Sequence, residues 1–138
     1  MEAATYVANG AAPVSSARVW AGRIMSGFAI LFLLLDGVVK VLQLPAATES
    51  STQLGYRAGL TLGLGILELA CLAAYAIPRT APFGALLLTG YLGGAVATHV
   101  RAESPLFSVI FPVLIGAVIW GGLAIREPRV RALLSLQS

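Results

Sequence analysis

Three ionisable residues, Asp36, Lys40 and Glu68, lie inside long apolar stretches of this chain. In hydrocarbon such groups are costly, which makes each a functional candidate. Asp36 and Lys40 are one helical turn apart on one face, with the acid first, the favourable order for such a pair, and Gln43 extends the same polar stripe. Glu68 stands eleven residues from both Arg57 and Arg79, near the middle of its apolar run, and Arg57, Thr61 and Tyr75 share its helical face. If the first two runs are antiparallel neighbours, Asp36 and Glu68 differ in depth by only ~4 to 5 Å. Lys40 then reaches either carboxyl, and two carboxyls facing one amine cannot both stay ionised cheaply away from water.

In the third run Tyr91 is expected to face the same interior, with His99 closer to the boundary. The expected site is a polar pocket lined by Asp36, Lys40, Glu68, Tyr91 and His99. There, Lys40 and His99 would donate hydrogen bonds to a ligand carbonyl, while Asp36 and Glu68 balance or move protons. Two other readings of the same residues stay open: mutual pairing that only locks helices together, and a route for protons or electrons. His99 is the only histidine and Cys71 the only cysteine. No metal site, disulfide or dithiol centre is therefore expected within one chain.

The elements that must position these groups follow from composition and run length. The chain has 138 residues, 58% hydrophobic and 11% charged, with a mean hydropathy of +0.88. A soluble domain carries roughly 25% charged residues, and a disordered one is poor in apolar residues; both classes are excluded. The net charge of +3 is spread thinly, without the basic face a nucleic-acid site needs. Phosphate loops, dinucleotide-binding turns and nucleophile elbows are missing from the sequence, so no soluble-enzyme chemistry is indicated.

Four apolar runs, at about 24–44, 58–77, 82–100 and 105–125, are bounded by charge. Each approaches the ~20 residues that cross a bilayer as a helix. The expected fold is all-α, an integral membrane four-helix bundle. Its domain spans 20–131, between a flexible tail at 1–19 and a C-terminal tail at 132–138. Residues 45–54 read as the only sizeable loop. Thr80 and Ser104 are candidate helix caps, Pro105 a first-turn proline and Pro112 a kink. The first run is longer than an ordinary signal-peptide core and contains Asp36 and Lys40, so a retained span is expected.

With both termini cytoplasmic, Arg18, Arg23, Arg79, Arg126, Arg129 and Arg131 collect inside, against Lys40, Arg57 and Arg101 outside. That is the orientation favoured by the positive-inside rule. Gly55, Gly59 and Gly63, like Gly90 and Gly94, recur at four-residue spacing, the small face that lets helix backbones approach. Packing within the bundle or a seam between copies would use it.

Gly37, Lys40, Val41 and Leu42 on the first helix, and Gly65, Ile66, Leu67 and Glu68 on the second, resemble the DoxX-like family of small four-helix membrane proteins. The stretch 77–101, IPRTAPFGALLLTGYLGGAVATHVR, is the most specific part. The resemblance covers about 20–131 and implies a bundle in a bacterial inner membrane. The family takes its name from a subunit of a membrane thiosulfate:quinone oxidoreductase; other relatives are linked to oxidative-stress complexes or membrane assembly. Lys40, Glu68 and His99 match its recurrent polar positions. The unpaired Cys71 departs from thiol-dependent chemistry. The resulting expectation is a membrane protein of unassigned activity whose pocket takes a small hydrophobic molecule, a quinone or a lipid, within a membrane redox complex. The alternative is a non-catalytic assembly or interaction protein, self-associating or bound to a membrane partner, whose buried charges are structural.

Overall fold

Helices end in this chain where backbone geometry forces them to. In the computed structural model, which describes residues 16–57 and 59–134, α1 (Ser16–Val41) stops ahead of Gln43, whose φ of 52° leaves the right-handed helical region. Leu44 is extended, the conformation a following proline favours. Pro45 then opens α2 (Pro45–Gln53), in the first helical turn, where its missing N–H costs nothing. The segment expected as a loop is therefore a helix, terminated at Gly55 with φ 89°. α3 (Leu60–Ala76) starts after Gly59, φ 92°, and ends at the extended Ile77 that precedes Pro78. α4 (Ala81–Arg101), α5 (Leu106–Arg126) and α6 (Pro128–Leu134) complete the order.

Several expected boundaries shift. The first helix runs Ser16–Val41 rather than 24–44, because the turn at Gln43 ends it early and its amino-terminal part carries Arg18 and Arg23. Of the tail expected over 1–19, residues 16–19 are helical and the rest lie outside the described residues. The tail expected at 132–138 begins inside α6, and 135–138 lie outside the described residues. Neither expected cap forms. The Thr80 hydroxyl donates back to the Ala74 carbonyl at 2.7 Å, and the Ser104 hydroxyl engages His99. Pro105 itself precedes the first turn of α5 rather than lying within it. Pro112 sits inside α5, where its ring leaves the Ser108 carbonyl without a helical donor.

The four long helices pack in a ring, α1 against α3, α3 against α4, α4 against α5 and α5 against α1. Ala29, Leu33, Leu72, Leu88, Ile119 and Leu123 form its centre. The outside is apolar too: Ile24, Phe28, Leu35, Phe83, Leu86 and Phe107 are all exposed, a larger apolar exterior than a water-facing monomer presents. Three helices, Ser16–Val41, Ala81–Arg101 and Leu106–Arg126, are long and apolar enough to cross a membrane; Leu60–Ala76 is apolar but shorter. α6 folds back under α5, and the Arg131 guanidinium donates to the carbonyls of Ala124 at 3.1 Å and Ile125 at 2.8 Å. A cation is favoured at that helix end.

The glycine reading needs correcting. A Cβ built on Gly59, Gly63, Gly90 or Gly94 meets nothing within 4 Å, so those glycines hold no helices together within the chain. The close approaches are made elsewhere. Gly65 of α3 faces Gly37 and Lys40 of α1, Gly122 of α5 faces Gly22 and Ser26 of α1, and Gly84 of α4 lies against the backbone of Ala74 and Tyr75. Spacing of four alone does not say which side of a helix meets a neighbour.

Candidate functional site

The approach of α1 and α3 builds the site. At Gly65 a methyl group would stand 2.8 Å from Lys40 Cβ and 2.9 Å from the Val41 nitrogen. Only glycine permits that contact, and it sets Lys40 directly across from the next inward turn of α3, which carries Glu68. The Lys40 ammonium donates to Asp36 Oδ2 at 2.5 Å, to Glu68 Oε2 at 2.8 Å and to the Tyr91 hydroxyl at 2.9 Å. Tyr91 in turn donates to Glu68 Oε2 at 3.0 Å. Three helices, α1, α3 and α4, thus meet at one nitrogen.

Burial grades across the cluster. The Glu68 side chain is 0% exposed, that of Lys40 19% and that of Asp36 42%. Glu68 Oε1 is buried without a hydrogen-bond partner. A carboxylate this deep is tolerable only with its countercharge in contact, so Lys40 is indispensable to it. The formal charge of the three ionisable side chains, two acids against one base, is negative.

Beside the cluster lies a cavity of about 560 Å³, within the range of small-molecule sites. Asp36, Lys40, Glu68 and Tyr91 are among its polar lining residues. Phe32 of α1 and Phe111 of α5, edge to face at 5.1 Å, contribute an apolar wall. α2 lies along it through Ala47, Ser50 and Ser51. Gly90 and Gly94 line it without filling it, both being exposed with no neighbour for a Cβ.

His99 also lines the cavity, but its Nδ1 pairs with Ser104 Oγ at 3.0 Å and it does not join the Lys40 cluster. Arg57 is exposed, and Tyr75, which shares a helical stripe with Glu68, enters a separate buried group. Its hydroxyl faces Ser26 Oγ at 3.0 Å and the Ile119 carbonyl at 3.2 Å. The Arg126 guanidinium stands 5.6 Å from the Tyr75 ring centre, with Nε and Nη2 buried and unpartnered. Among the described residues no three of His, Cys, Asp and Glu are grouped as metal ligands would be.

Tyr56 and the serines of α2 are cavity residues that sequence reasoning missed. The Tyr56 hydroxyl shares a hydrogen with Thr98 Oγ1 at 2.9 Å, and Arg101 donates to the Leu54 carbonyl at 2.9 Å, so this connection is tied onto α4. One signal was available: Pro45 followed by Ala46 and Ala47 is a plausible helix opening.

No curated protein and no solved structure matches the chain. Residues 24–122 match the model of the DoxX-like family and contain every residue of the cluster, both paired glycines Gly37 and Gly65, and His99. Together with its apolar helices, that match over the bulk of the sequence makes this chain a membrane protein belonging to the DoxX-like family.

Proposed function

We propose that the chain spans a bacterial inner membrane four times, through α1, α3, α4 and α5, with both termini cytoplasmic. Its cavity takes a small hydrophobic molecule, a quinone or a lipid, as part of a membrane redox assembly. The observation that carries this reading is a satisfied charge cluster opening through Asp36 onto an otherwise largely apolar cavity. Such a combination suits a ligand with a polar head and an apolar body. Glu68, Lys40, Asp36 and Tyr91 meet the head; Phe32 and Phe111 meet the body.

The fourth span rests on α3. Its 17 residues cover about 25 Å, a shortfall that local bilayer thinning accommodates. Orientation rests on charge. Lys40 is committed to Asp36 and Glu68, so the basic residues left at the outer end are Arg57 and Arg101, against six arginines at the other. The arginines alone are biased six to two toward the cytoplasmic side, as the positive-inside rule favours. Cysteines introduced at Ala102 and Leu133 test it with a membrane-impermeant maleimide on intact cells. Labelling of Ala102→Cys alone is expected; labelling of Leu133→Cys alone reverses the topology.

For the cavity, the protein purified in mild detergent is examined by native mass spectrometry. Wild type is expected to retain a stoichiometric small hydrophobic molecule that Gly94→Leu, which fills open space rather than displacing a neighbour, releases. Bare, folded wild-type protein overturns the reading. The second reading is a non-catalytic assembly or interaction protein in which the charges only join helices. It is favoured by one observation, that every hydrogen of the Lys40 ammonium already has an acceptor within the chain. Under that reading Gly94→Leu leaves the mass spectrum unchanged.

A further inference from the structure

Counting donors and acceptors in the cluster restricts what its ligand can be. A lysine ammonium has three hydrogens, and all three point to acceptors: Asp36 Oδ2, Glu68 Oε2 and the Tyr91 oxygen. Tyr91 has one, and it goes to Glu68 Oε2. With Glu68 ionised, as two donors on its Oε2 favour, the cluster has no donor left. Two acceptor atoms remain: Glu68 Oε1, buried without a partner, and Asp36 Oδ1, on a side chain 42% exposed at the cavity. A ligand carbonyl placed against this cluster, as distinct from the hydroxyls of Ser50, Ser51 and Tyr56 elsewhere along the cavity, would meet only acceptors, unless it displaced one of the lysine's existing partners and left that group unpaired at a cost.

Resting on the cavity reading above, we infer that the head of the bound molecule is a hydrogen-bond donor, a neutral hydroxyl on an apolar body, and that it donates to the Asp36 carboxylate. This reverses the direction expected from residue types, in which Lys40 donates to a carbonyl. A neutral hydroxyl suits the site better than a cationic amine, because an ammonium must shed its hydration to enter a largely apolar cavity. The hydroxyl can be phenolic or aliphatic; both offer the same O–H to the same carboxylate. Glu68 Oε1 is a second acceptor, but it is fully buried. Asp36 is the atom group the ligand reaches.

The test compares three probes on the full-length protein in detergent, titrated by native mass spectrometry: 4-octylphenol, its methyl ether, and dodecanol. The phenol and its ether share a body and differ in the O–H. Wild type is expected to bind a hydroxyl probe about tenfold more tightly than the ether, the weight of one hydrogen bond to a charged group. The stronger of phenol and dodecanol identifies the hydroxyl as aromatic or aliphatic. In Asp36→Ala the preference for phenol over ether is expected to vanish while ether affinity persists. Asp36→Asn, which keeps shape and folding, is expected to lose most of the same preference. Equal binding of phenol and ether by wild type overturns the donor assignment and leaves the cavity reading standing. Failure of all three probes to bind overturns both, and a preference that survives in both Asp36 variants overturns the role of Asp36.

Discussion

Two buried polar groups occupy opposite parts of the helix ring and are built on opposite plans. Around Tyr75 the packing is closed. Its side chain is 0% exposed, its hydroxyl is satisfied by Ser26 and the Ile119 carbonyl, and Gly84 and Gly122 bring helix backbones into direct contact around it. Around Lys40 one wall is equally tight, at Gly65, but the other side opens on a cavity whose glycines, Gly90 and Gly94, touch nothing. A neutral hydroxyl network, with the Arg126 guanidinium against its ring, sits where the packing is complete; the carboxyl–amine cluster sits where it is not. The difference separates a region whose helices close on one another from one that leaves a cavity beside its buried charges.

Removing Lys40 breaks the comparison most strongly. Lys40→Met leaves Glu68 buried without its countercharge and is expected to destabilise the protein by about 3–5 kcal/mol, read from thermal unfolding in detergent. Adding Glu68→Gln to it is expected to recover much of the loss, whereas a mere packing defect would not be relieved. Next comes the closed end. In Gly84→Ala the new methyl meets the backbone of Ala74 and Tyr75, which cannot step aside; a loss of about 3 kcal/mol is expected, seen as a lower midpoint or as aggregation.

Tyr75→Phe removes one buried hydroxyl from the same region and should cost about 1 kcal/mol. A cost near zero would mean that Ser26 and the Ile119 carbonyl find other partners. Smallest, and opposite in sign, is Gly94→Ala. Its methyl enters open space on α4, so helix propensity dominates and a gain of up to about 1 kcal/mol is expected. If Gly94→Ala destabilises as Gly84→Ala does, the cavity wall is packed and the contrast between the two regions fails.

Much of this was readable in the residues. Asp36 and Lys40 must share a helix face at a spacing of four, and Glu68 must lie deep because it is eleven residues from either flanking arginine. The neighbouring of α1 and α3 follows from chain order, consecutive spans being usually adjacent. Other features were not readable. Gly63 and Gly65 are two residues apart on α3, yet only Gly65 meets α1. Tyr75 falls on the Glu68 stripe but joins a different group, because an inward stripe crosses several levels of the ring. α2 was hidden because its Thr and Ser residues resemble a loop, although the threonine hydroxyls bond back to carbonyls of the preceding turn, as Thr52 does to Thr48 at 2.9 Å.

By itself, the order of residues determined the apolar runs, the arginines that bound them and the depth of each ionisable group. These are properties of a helix taken alone, with its rise and periodicity. Only the tertiary structure decided how each helix is rotated toward its neighbours. That rotation selects which glycine admits a backbone, gives Lys40 three partners instead of one and leaves Asp36 facing the cavity. The reason is that side-chain direction within a helix is local, whereas contact between helices depends on how all four fit at once.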